Sequence, residues 1–549
     1  MAATTTSDSP PRGPTLRVIC VNDIYSLENL PRLKSLVQHH AVSNPADRLV
    51  VTLAGDFVAP SILSSLDKGA GMIECLNEIP ITHAMFGNHE DDVGMGELVK
   101  RVQEFAGTWL NTNMPTFQPK LPTHQILEVT SPGGGGRTVR VGLLGLLAHQ
   151  KNLYRPGAFG GHTIEPANET AQKWAKVLHT EGCACVIPIT HQDVADDLEL
   201  ARSQREPQFP VIVAGHEHEV IIEDVDGCLV IKAGAEAANA VVIDLAWPVE
   251  APTGAFDLPT VTYKLQEVRE FPEDQSMRAR VDRHMSSVRR LDGATLMRTS
   301  PETPLSSVGI KSGQTSMGTV LCSHIRDALG ADGCLLHGGG VRGEQDYEQR
   351  FTYADLKAAL PYANETVVVS MPGSVVRDAV AMSRARVGSN AYLQVDDGMT
   401  IEGPGDVVTT IGGLALDPNR EYRIATVLGL LGGMNGITPF VEYASARPDL
   451  IPPRDAGREI KMILVDAFSM ELWRQLGSFE EIDANQDGVV TPEELERAIS
   501  RATHEAPSDI VVNDVFRMVD ADGDGTITRE EAEALVANHA AMHGDTSND

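Results

Sequence analysis

Five short apolar runs in the first part of the chain each end in side chains able to hold a cation. Leu16–Val21 leads to Asn22-Asp23, Leu49–Leu53 to Gly55-Asp56, and Ile81–Phe86 to Gly87-Asn88-His89-Glu90. Cys185–Ile189 leads to His191, and Val211–Ala214 to Gly215-His216-Glu217-His218. Asp, Asn and His are the hard and borderline donors that suit divalent metals. Each residue alone is better explained as a helix cap or a hydrogen-bonded core group. Together, at strand ends, they describe a site for two cations, which activate a water and neutralise the oxygens of a phosphoryl group.

Such convergence needs a particular scaffold, because ligands gather outside the carboxyl ends of the strands in an open α/β sheet. The runs supply it. Strand-like segments alternate with helical spacing over residues 28–42, 60–79, 169–180 and 196–202, which predicts a mainly parallel, layered α/β fold. Residues 139–147 add a strand after a flexible Gly133–Gly136 loop, and residues 229–232 and 241–245 are expected to complete a second sheet. This first domain is read over 15–247, behind a polar, Pro-rich leader (1–14) expected to be disordered. Prolines 248, 252 and 259, followed by a charged helical stretch, mark 248–300 as a connector. A second α/β unit is expected over 301–466, with a helix over 316–329 before the strand Cys334–His337, and a helical, acidic segment over 467–549.

At 549 residues and 42% hydrophobic content, the chain has length for roughly two to four soluble domains. A net charge of -31 argues against nucleic acid or an anionic membrane as partner. The seven cysteines are odd in number and sit mostly in apolar runs, so reduced thiols are expected; Cys183 and Cys185, alternating on a strand, also admit a metal. No secretory h-region, span-length run or lipid-anchor tail is read, and the expected location is cytoplasmic.

The acidic end carries the most specific pattern. Asp483, Asn485, Asp487, Val489, Thr491 and Glu494 fill positions 1, 3, 5, 7, 9 and 12 of one twelve-residue loop. Asp520, Asp522, Asp524, Thr526, Thr528 and Glu531 do so again, 37 residues later, with Gly488 and Gly525 at the sharp turns. This is the EF-hand pattern. It predicts an all-α lobe that binds two Ca2+ ions, with Phe479 and Phe516 on its entering helices. The lobe either regulates, by exposing an apolar groove and altering closure of the other domains, or is a constitutive calcium or magnesium lobe; it also admits a protein partner.

In their order, Asp23, Asp56, Asn88, His191, His216 and His218 resemble the ligands of the calcineurin-like metallophosphoesterases. With the downstream unit, the chain looks most like the 5'-nucleotidase family among them, over residues 15–465. The resemblance implies a four-layer αββα first domain and a second α/β domain that binds substrate. It implies phosphomonoester hydrolysis, on nucleotides above all, with two divalent transition-metal ions of the Mn, Zn or Fe class. Asp56 would bridge the metals, Asp23 and His218 would serve the first, and Asn88, His191 and His216 the second. His89 would be a catalytic non-ligand, steadying the transition state or protonating the leaving oxygen. The family has Asp-x-His at the first strand, but here Asp23-Ile24-Tyr25 leaves Tyr25 as either a metal ligand or a packing residue.

In the second unit, Leu336-His337-Gly338-Gly339-Gly340-Val341-Arg342 resembles the family's Asn-Gly-Gly-Gly-Ile-Arg motif, with His337 in place of Asn. Gly339 and Gly340 would permit close backbone approach, and Arg342 would chelate phosphate. Asn364 matches the family's Leu-Pro-Phe-x-Asn turn, and Tyr392 the position of an aromatic that stacks on the base. The closing Gly-Gly-Asp-Gly-Tyr becomes Gly432-Gly433-Met434-Asn435-Gly436-Ile437, which lacks the acid for the ribose hydroxyls, and Leu428 stands where a second aromatic is expected. A base held by one ring instead of two loses ~1–3 kcal/mol of stacking. The alternative reading, resting on these departures, is a calcium-dependent interaction protein built on a degenerate phosphatase fold.

Overall fold

The computed structural model describes residues 12–43, 45–131, 136–154, 157–204, 209–250, 257–291, 293–403, 405–453, 456–503, 507, 509–521 and 524–535. The leader up to residue 11, most of the Gly133–Gly136 loop and Asp522 lie outside them. One compact unit comprises Met1–Ser64 with Lys68–His284, and the other Ser65–Asp67 with Met285–Asp549.

The first unit is built on two six-stranded sheets. In one, β1 (Thr15–Val21), β2 (Arg48–Ala54), β3 (His83–Met85) and β4 (Thr108–Leu110) run parallel. The other contains β5 (Gln125–Thr130), β6 (Thr138–Leu147), β7 (Cys185–His191), β8 (Val211–Gly215), β9 (Val220–Val225) and β10 (Cys228–Ala233), in the order 5-6-7-8-10-9. The inner strands of this sheet are parallel, and β5 and β9 pair antiparallel at its edges. Neighbouring strands of the two sheets face each other, as β2 does β7 and β8. Helices Ala167–Thr180 and Val194–Arg202 cover the outside of the second sheet, packing Ala171, Ala175, Leu178 and Leu200 against Leu144, Val186, Ile212 and Val230. Strands covered on both faces need apolar residues on both, which is why β7 and β8 read as continuous apolar runs and are buried throughout.

Two expectations change. Residues 241–245 lie in β11 (Asn239–Ala246), which pairs antiparallel with β1 and so belongs to the first sheet, not the second. A two-faced apolar run fits either sheet. The register is marked instead by Arg17, which lies opposite Asp244 and pairs with it at 2.7 Å. The connector also contains a strand, β12 (Thr260–Glu267), on the edge of the first sheet beside β11. Its mostly exposed, mixed side chains are those of an edge strand, and the flanking prolines disguise it.

The second unit holds a five-stranded sheet in the order Leu393–Val395, Gly333–His337, Glu421–Val427, Glu365–Pro372 and Arg458–Glu459. Helix Ser316–Ala328 starts at Thr315, whose hydroxyl accepts a hydrogen bond from Gly318 N at 3.0 Å. Helix Ile460–Gln475 packs on it, with the Phe468 ring 4.6 Å from that of His324. The far end of this helix enters another core, where Trp473 and Leu476 meet Ile482, Leu495, Ile499, Phe516 and Ile527 of the calcium lobe. Gly477, at φ +100°, then breaks the helix, and Ser478 and Glu481 form a capping box for Phe479–Ile482. The lobe is not wholly helical: Val489–Val490 and Ile527–Thr528 pair across its loops. Among the described residues no helix is long and apolar enough to cross a membrane.

Candidate metal centre

The strand ends of the first unit converge as their side chains demand. Asp23 follows β1, Asp56 follows β2, Asn88 lies beyond β3, His191 ends β7 and His216 follows β8. Three of these residues, Asp23, Asp56 and His216, hold positive φ (53°, 55° and 91°). Non-glycine residues adopt that conformation at a cost of ~1–3 kcal/mol each, and such strain collects at functional sites. Gly87 is required by contact alone, since a Cβ there would lie 2.0 Å from Asp56 Oδ1.

Asp23, Asp56 and His191 are buried, and one ligand atom from each lies within 4.8 Å of the others. His191 donates from Nδ1 to the Ala54 carbonyl at 2.8 Å, which turns Nε2 toward the other residues of the site. That nitrogen sits 3.1 Å from Asn88 Oδ1 and 3.2 Å from Asp56 Oδ2. His216 sets Nε2 against Asp193 at 3.3 Å and turns Nδ1 to Asn88 Oδ1 at 3.0 Å. Acceptor atoms approach one another this closely around a cation or a proton. Burial opposes a charge on His191, yet the Asp56 and Asp23 carboxylates outweigh it and push its pKa up to about 10. Burial likewise opposes the charge on Asp56, but His191 and His89 hold its carboxyl below the usual range. Two carboxylates, an amide oxygen and two imidazoles converging at buried strand ends are the donor set that suits divalent ions, so the residues fit a metal pair. The carboxylate partner on His216 is the outer support that metal-bound histidines use.

The remaining residues surround this nucleus. His218 is exposed, with Nε2 3.6 Å from Asp23 Oδ1. The Tyr25 hydroxyl lies between Asp23, Asp56 and His218, and burial with the Asp56 and Asp23 charges lifts its pKa above the ordinary value. His89 donates its backbone N–H to Asp56 Oδ1 at 2.9 Å, and its Nδ1 pairs with Asp92 Oδ2 at 2.8 Å.

Supporting residues complete the site that the sequence reading left bare. Fully buried Glu90 accepts backbone N–H groups from Asp56, Phe57, Val58 and Gly87, tying two ligand loops together. Burial, then Asp56, pushes its pKa up to about 7. Glu236 accepts the N–H groups of Tyr25 and Ser26 at 3.1 and 2.7 Å. Lys232, buried in β10, donates to the carbonyls of Gln192 and Gly215, each at 2.7 Å, beside His191 and His216. It also pairs with Asp197 and Glu217. Glu90 closes the Gly87-Asn88-His89-Glu90 turn, and Lys232 is a lone charge closing an apolar run. Glu236 carries no local signal, because its partner lies some two hundred residues earlier.

In the second unit, Gly338–Gly340 forms a tight turn in which a Cβ on Gly339 would meet Asn390 at 2.5 Å, and one on Gly340 would meet Asn364 Nδ2 at 3.0 Å. Arg342 meets the exposed Tyr362, donating to its hydroxyl at 3.0 Å. Burial, then Arg342, lowers His337 to about 4, so the imidazole standing for the family's Asn is neutral. Tyr392 does not sit as expected. It is 4% exposed, with the Arg384 guanidinium 5.2 Å from its ring centroid, so its ring is engaged inside the unit. The exposed aromatic beside Arg342 is Tyr362.

In the first EF-hand loop, Asp483 Oδ2 accepts Gly488 N at 3.0 Å, and Glu494 accepts the N–H groups of Asn485 and Thr491. Asp487 accepts Val489 N at 3.1 Å. Asp483 Oδ1 is buried and has no hydrogen-bond partner among the described residues, as a cation ligand should be. The second loop repeats the frame: Asp520 accepts Gly525 N, Asp524 accepts Thr526 N, and Glu531 accepts Thr528 N.

Comparison with known proteins follows the same partition. Residues 16–220 match the calcineurin-like phosphoesterases, 295–442 the 5'-nucleotidase C-terminal domain and 476–537 the EF-hand domain pair. Protein UshA of Yersinia enterocolitica is 35% identical over 123 residues, 22% of each chain. A 2',3'-cyclic-nucleotide 2'-phosphodiesterase/3'-nucleotidase of Yersinia enterocolitica is 23% identical over 257 residues, 40% of this chain and 39% of that one. The chain thus spans between a fifth and two fifths of the length of these curated relatives. The NAD nucleotidase of Haemophilus influenzae shares the fold, with a TM-score of 0.63 and 16% identity over 83% of this chain and 96% of that one.

Proposed function

Because the chain joins a calcineurin-like phosphoesterase domain to a 5'-nucleotidase C-terminal domain and an EF-hand pair, we propose that it hydrolyses phosphomonoesters of nucleotides with two metal ions. The observation that carries this reading is the buried meeting of Asp56, Asn88, His191 and His216, with both imidazoles turned inward by partners behind them. Asp23, Asp56 and His218 would hold one ion, and Asp56, Asn88, His191 and His216 the other. Bound there, the pair would supply an activated water and neutralise phosphoryl charge. Asp92 holds the His89 ring by Nδ1, which directs Nε2 to protonate the leaving oxygen. Arg342 binds phosphate or a ribose-linked oxygen, and Tyr362 offers the stacking face that Tyr392 has turned inward. The nucleotide class is supported by the second unit's family and by relatives named for nucleotide esters.

Calcium regulation is part of the proposal. Its support is helix Ile460–Gln475, which packs on Ser316–Ala328 at one end and enters the EF-hand core at the other. A calcium-dependent shift of the lobe would therefore reach the substrate-binding unit. Seven buried cysteines, with no disulfide among the described residues, support a cytoplasmic location.

The test is phosphate release by the full chain with Mn2+, across nucleoside monophosphates and other esters, with calcium clamped low or high. Metal-dependent turnover lost in Asp56→Asn and His89→Ala establishes the enzyme. Absence of turnover on every ester, in folded protein that binds calcium, overturns it in favour of a scaffold. A rate that ignores calcium in both the native chain and the Glu494→Gln/Glu531→Gln variant overturns the regulatory part.

A further inference from the structure

Two side chains in the core of the calcium lobe come from the helix that leads into it rather than from its two hands. The hands themselves contribute residues such as Ile482 and Ile499 from the first and Val515 and Phe516 from the second. Packed with them are Trp473 and Leu476, 5% and 8% exposed, at the end of helix Ile460–Gln475. Gly477, at φ +100°, ends that helix, and the capping box of Ser478 and Glu481 starts another. The entering helix of the first hand is therefore the single turn Phe479–Ile482, and the helix carrying Trp473 is a separate element.

Its residues are spaced as those of a bound helix. Side chains three apart share one helix face, and helices held in apolar grooves present their anchors at that interval. Trp473 and Leu476 are such a pair, with Leu472 packed partly against the same core. The helix also lies against Asp509–Val519, the entering helix of the second hand. At its other end it packs on Ser316–Ala328, with the Phe468 ring 4.6 Å from that of His324 and 6.5 Å from that of Phe351.

The calcium loops reach the same core. Val490 and Ile527, each at position 8 of its loop, lie in the short ladder that joins the loops and are buried with Trp473. Arg529, from the second loop, stands 5.1 Å from the Phe479 ring and pairs with Glu480 at 2.5 Å, so it holds the turn that follows Leu476. Loop geometry and the seat of Trp473 are thus one packed assembly.

Resting on the calcium lobe assigned above, we infer that Trp473 and Leu476 are the lobe's target. They fill the apolar groove of the calcium-loaded hands, so the lobe grips a helix of its own chain and leaves no groove for a separate protein. Calcium acts by tightening that grip on a helix the second unit shares. Linkage makes the effect reciprocal: what calcium adds to the hold on Trp473, Trp473 adds to the affinity for calcium.

The experiment uses the full chain and readouts that do not involve phosphate release. A fluorescein-labelled synthetic peptide of residues 460–477 is added with calcium or with chelator, and its anisotropy is followed. The native chain should not bind it in either condition, whereas Trp473→Ala/Leu476→Ala should bind it with calcium only. The peptide carrying the same two alanines should bind neither protein. In calcium titrations the double variant should bind about tenfold more weakly, within the usual range of coupling between two sites. Circular dichroism reports whether it folds. If it does not, Trp473→Phe decides: native emission minus that of this variant isolates Trp473, whose quenching by acrylamide should fall when calcium is added.

Calcium-dependent binding of the peptide by the native chain overturns the inference, because the groove is then open. A double variant with native calcium affinity overturns it too, as does Trp473 quenching that ignores calcium. Phosphate release that ignores calcium while the native groove stays closed to the peptide overturns the regulatory reading alone. A chain that binds no calcium overturns both the inference and the lobe on which it rests.

Discussion

Each EF-hand loop gathers its ligands from twelve consecutive residues, whereas the metal centre of the first unit draws on strand ends from Asp23 to His218. The difference shows in what surrounds them. The loops are held by their own short-range hydrogen bonds, such as Asp483 to Gly488 and Glu494 to Thr491. The metal centre needs supports from distant segments: Glu90 under two loops, Lys232 under two more, Glu236 behind Tyr25 and Asp193 behind His216. A local site carries its geometry with it. A dispersed one inherits geometry from the fold and is damaged through residues that never touch the metal.

That contrast can be broken or sharpened by substitution. The largest effect is expected for Asp56→Asn, which should lower phosphate release by more than about 100-fold, beyond what loss of an outer-shell partner costs. Calcium binding, followed by titration calorimetry, should stay unchanged; if it falls as well, the two regions are not independent.

Lys232→Met should come next. Breaking a buried ion-pair network leaves Asp197 and Glu217 without their cation, at about 3–5 kcal/mol. The unfolding transition of the first unit should drop in temperature and transition-metal affinity should fall, with calcium binding preserved. A variant as stable as the native chain would show that the Gln192 and Gly215 carbonyls need no such anchor.

Glu494→Gln tests the local site. It should remove one of two calcium equivalents and leave phosphate release in chelated calcium within about twofold, since a surface loop of this kind perturbs stability little elsewhere. Loss of transition metal from this variant would contradict the contrast.

The smallest effect concerns pH. His337 is held down to about 4, against ~6.5 in an unfolded chain. Between these values the unfolded state binds more protons, so the stability owed to the neutral ring is whole above about pH 6.5 and is lost as pH falls toward 4. His337→Asn should flatten that slope, and the gap between the two values caps the effect at about 3 kcal/mol. Denaturant midpoints at pH 7 and pH 4.5 for both proteins measure it.

The sequence by itself determined the parts whose physics is local. Position 1, 3, 5, 7, 9 and 12 oxygens with a glycine at the turn dictate an EF-hand loop wherever they occur. Apolar runs ending in Asp, Asn or His marked the strand ends and the six candidate residues beyond them, because strands covered on both faces must be apolar throughout. The Tyr25 departure was visible too, but not its contacts with Asp56 and His218. Only the tertiary structure decided which sheet received residues 241–245, since a run apolar on both faces satisfies either until Arg17 meets Asp244 across the ladder. It alone joined Glu236 to Tyr25, and it turned Tyr392 under Arg384 while leaving Tyr362 beside Arg342. Those outcomes depend on which surfaces meet when the elements pack. Pairing between residues far apart in the chain leaves no periodicity or spacing to read.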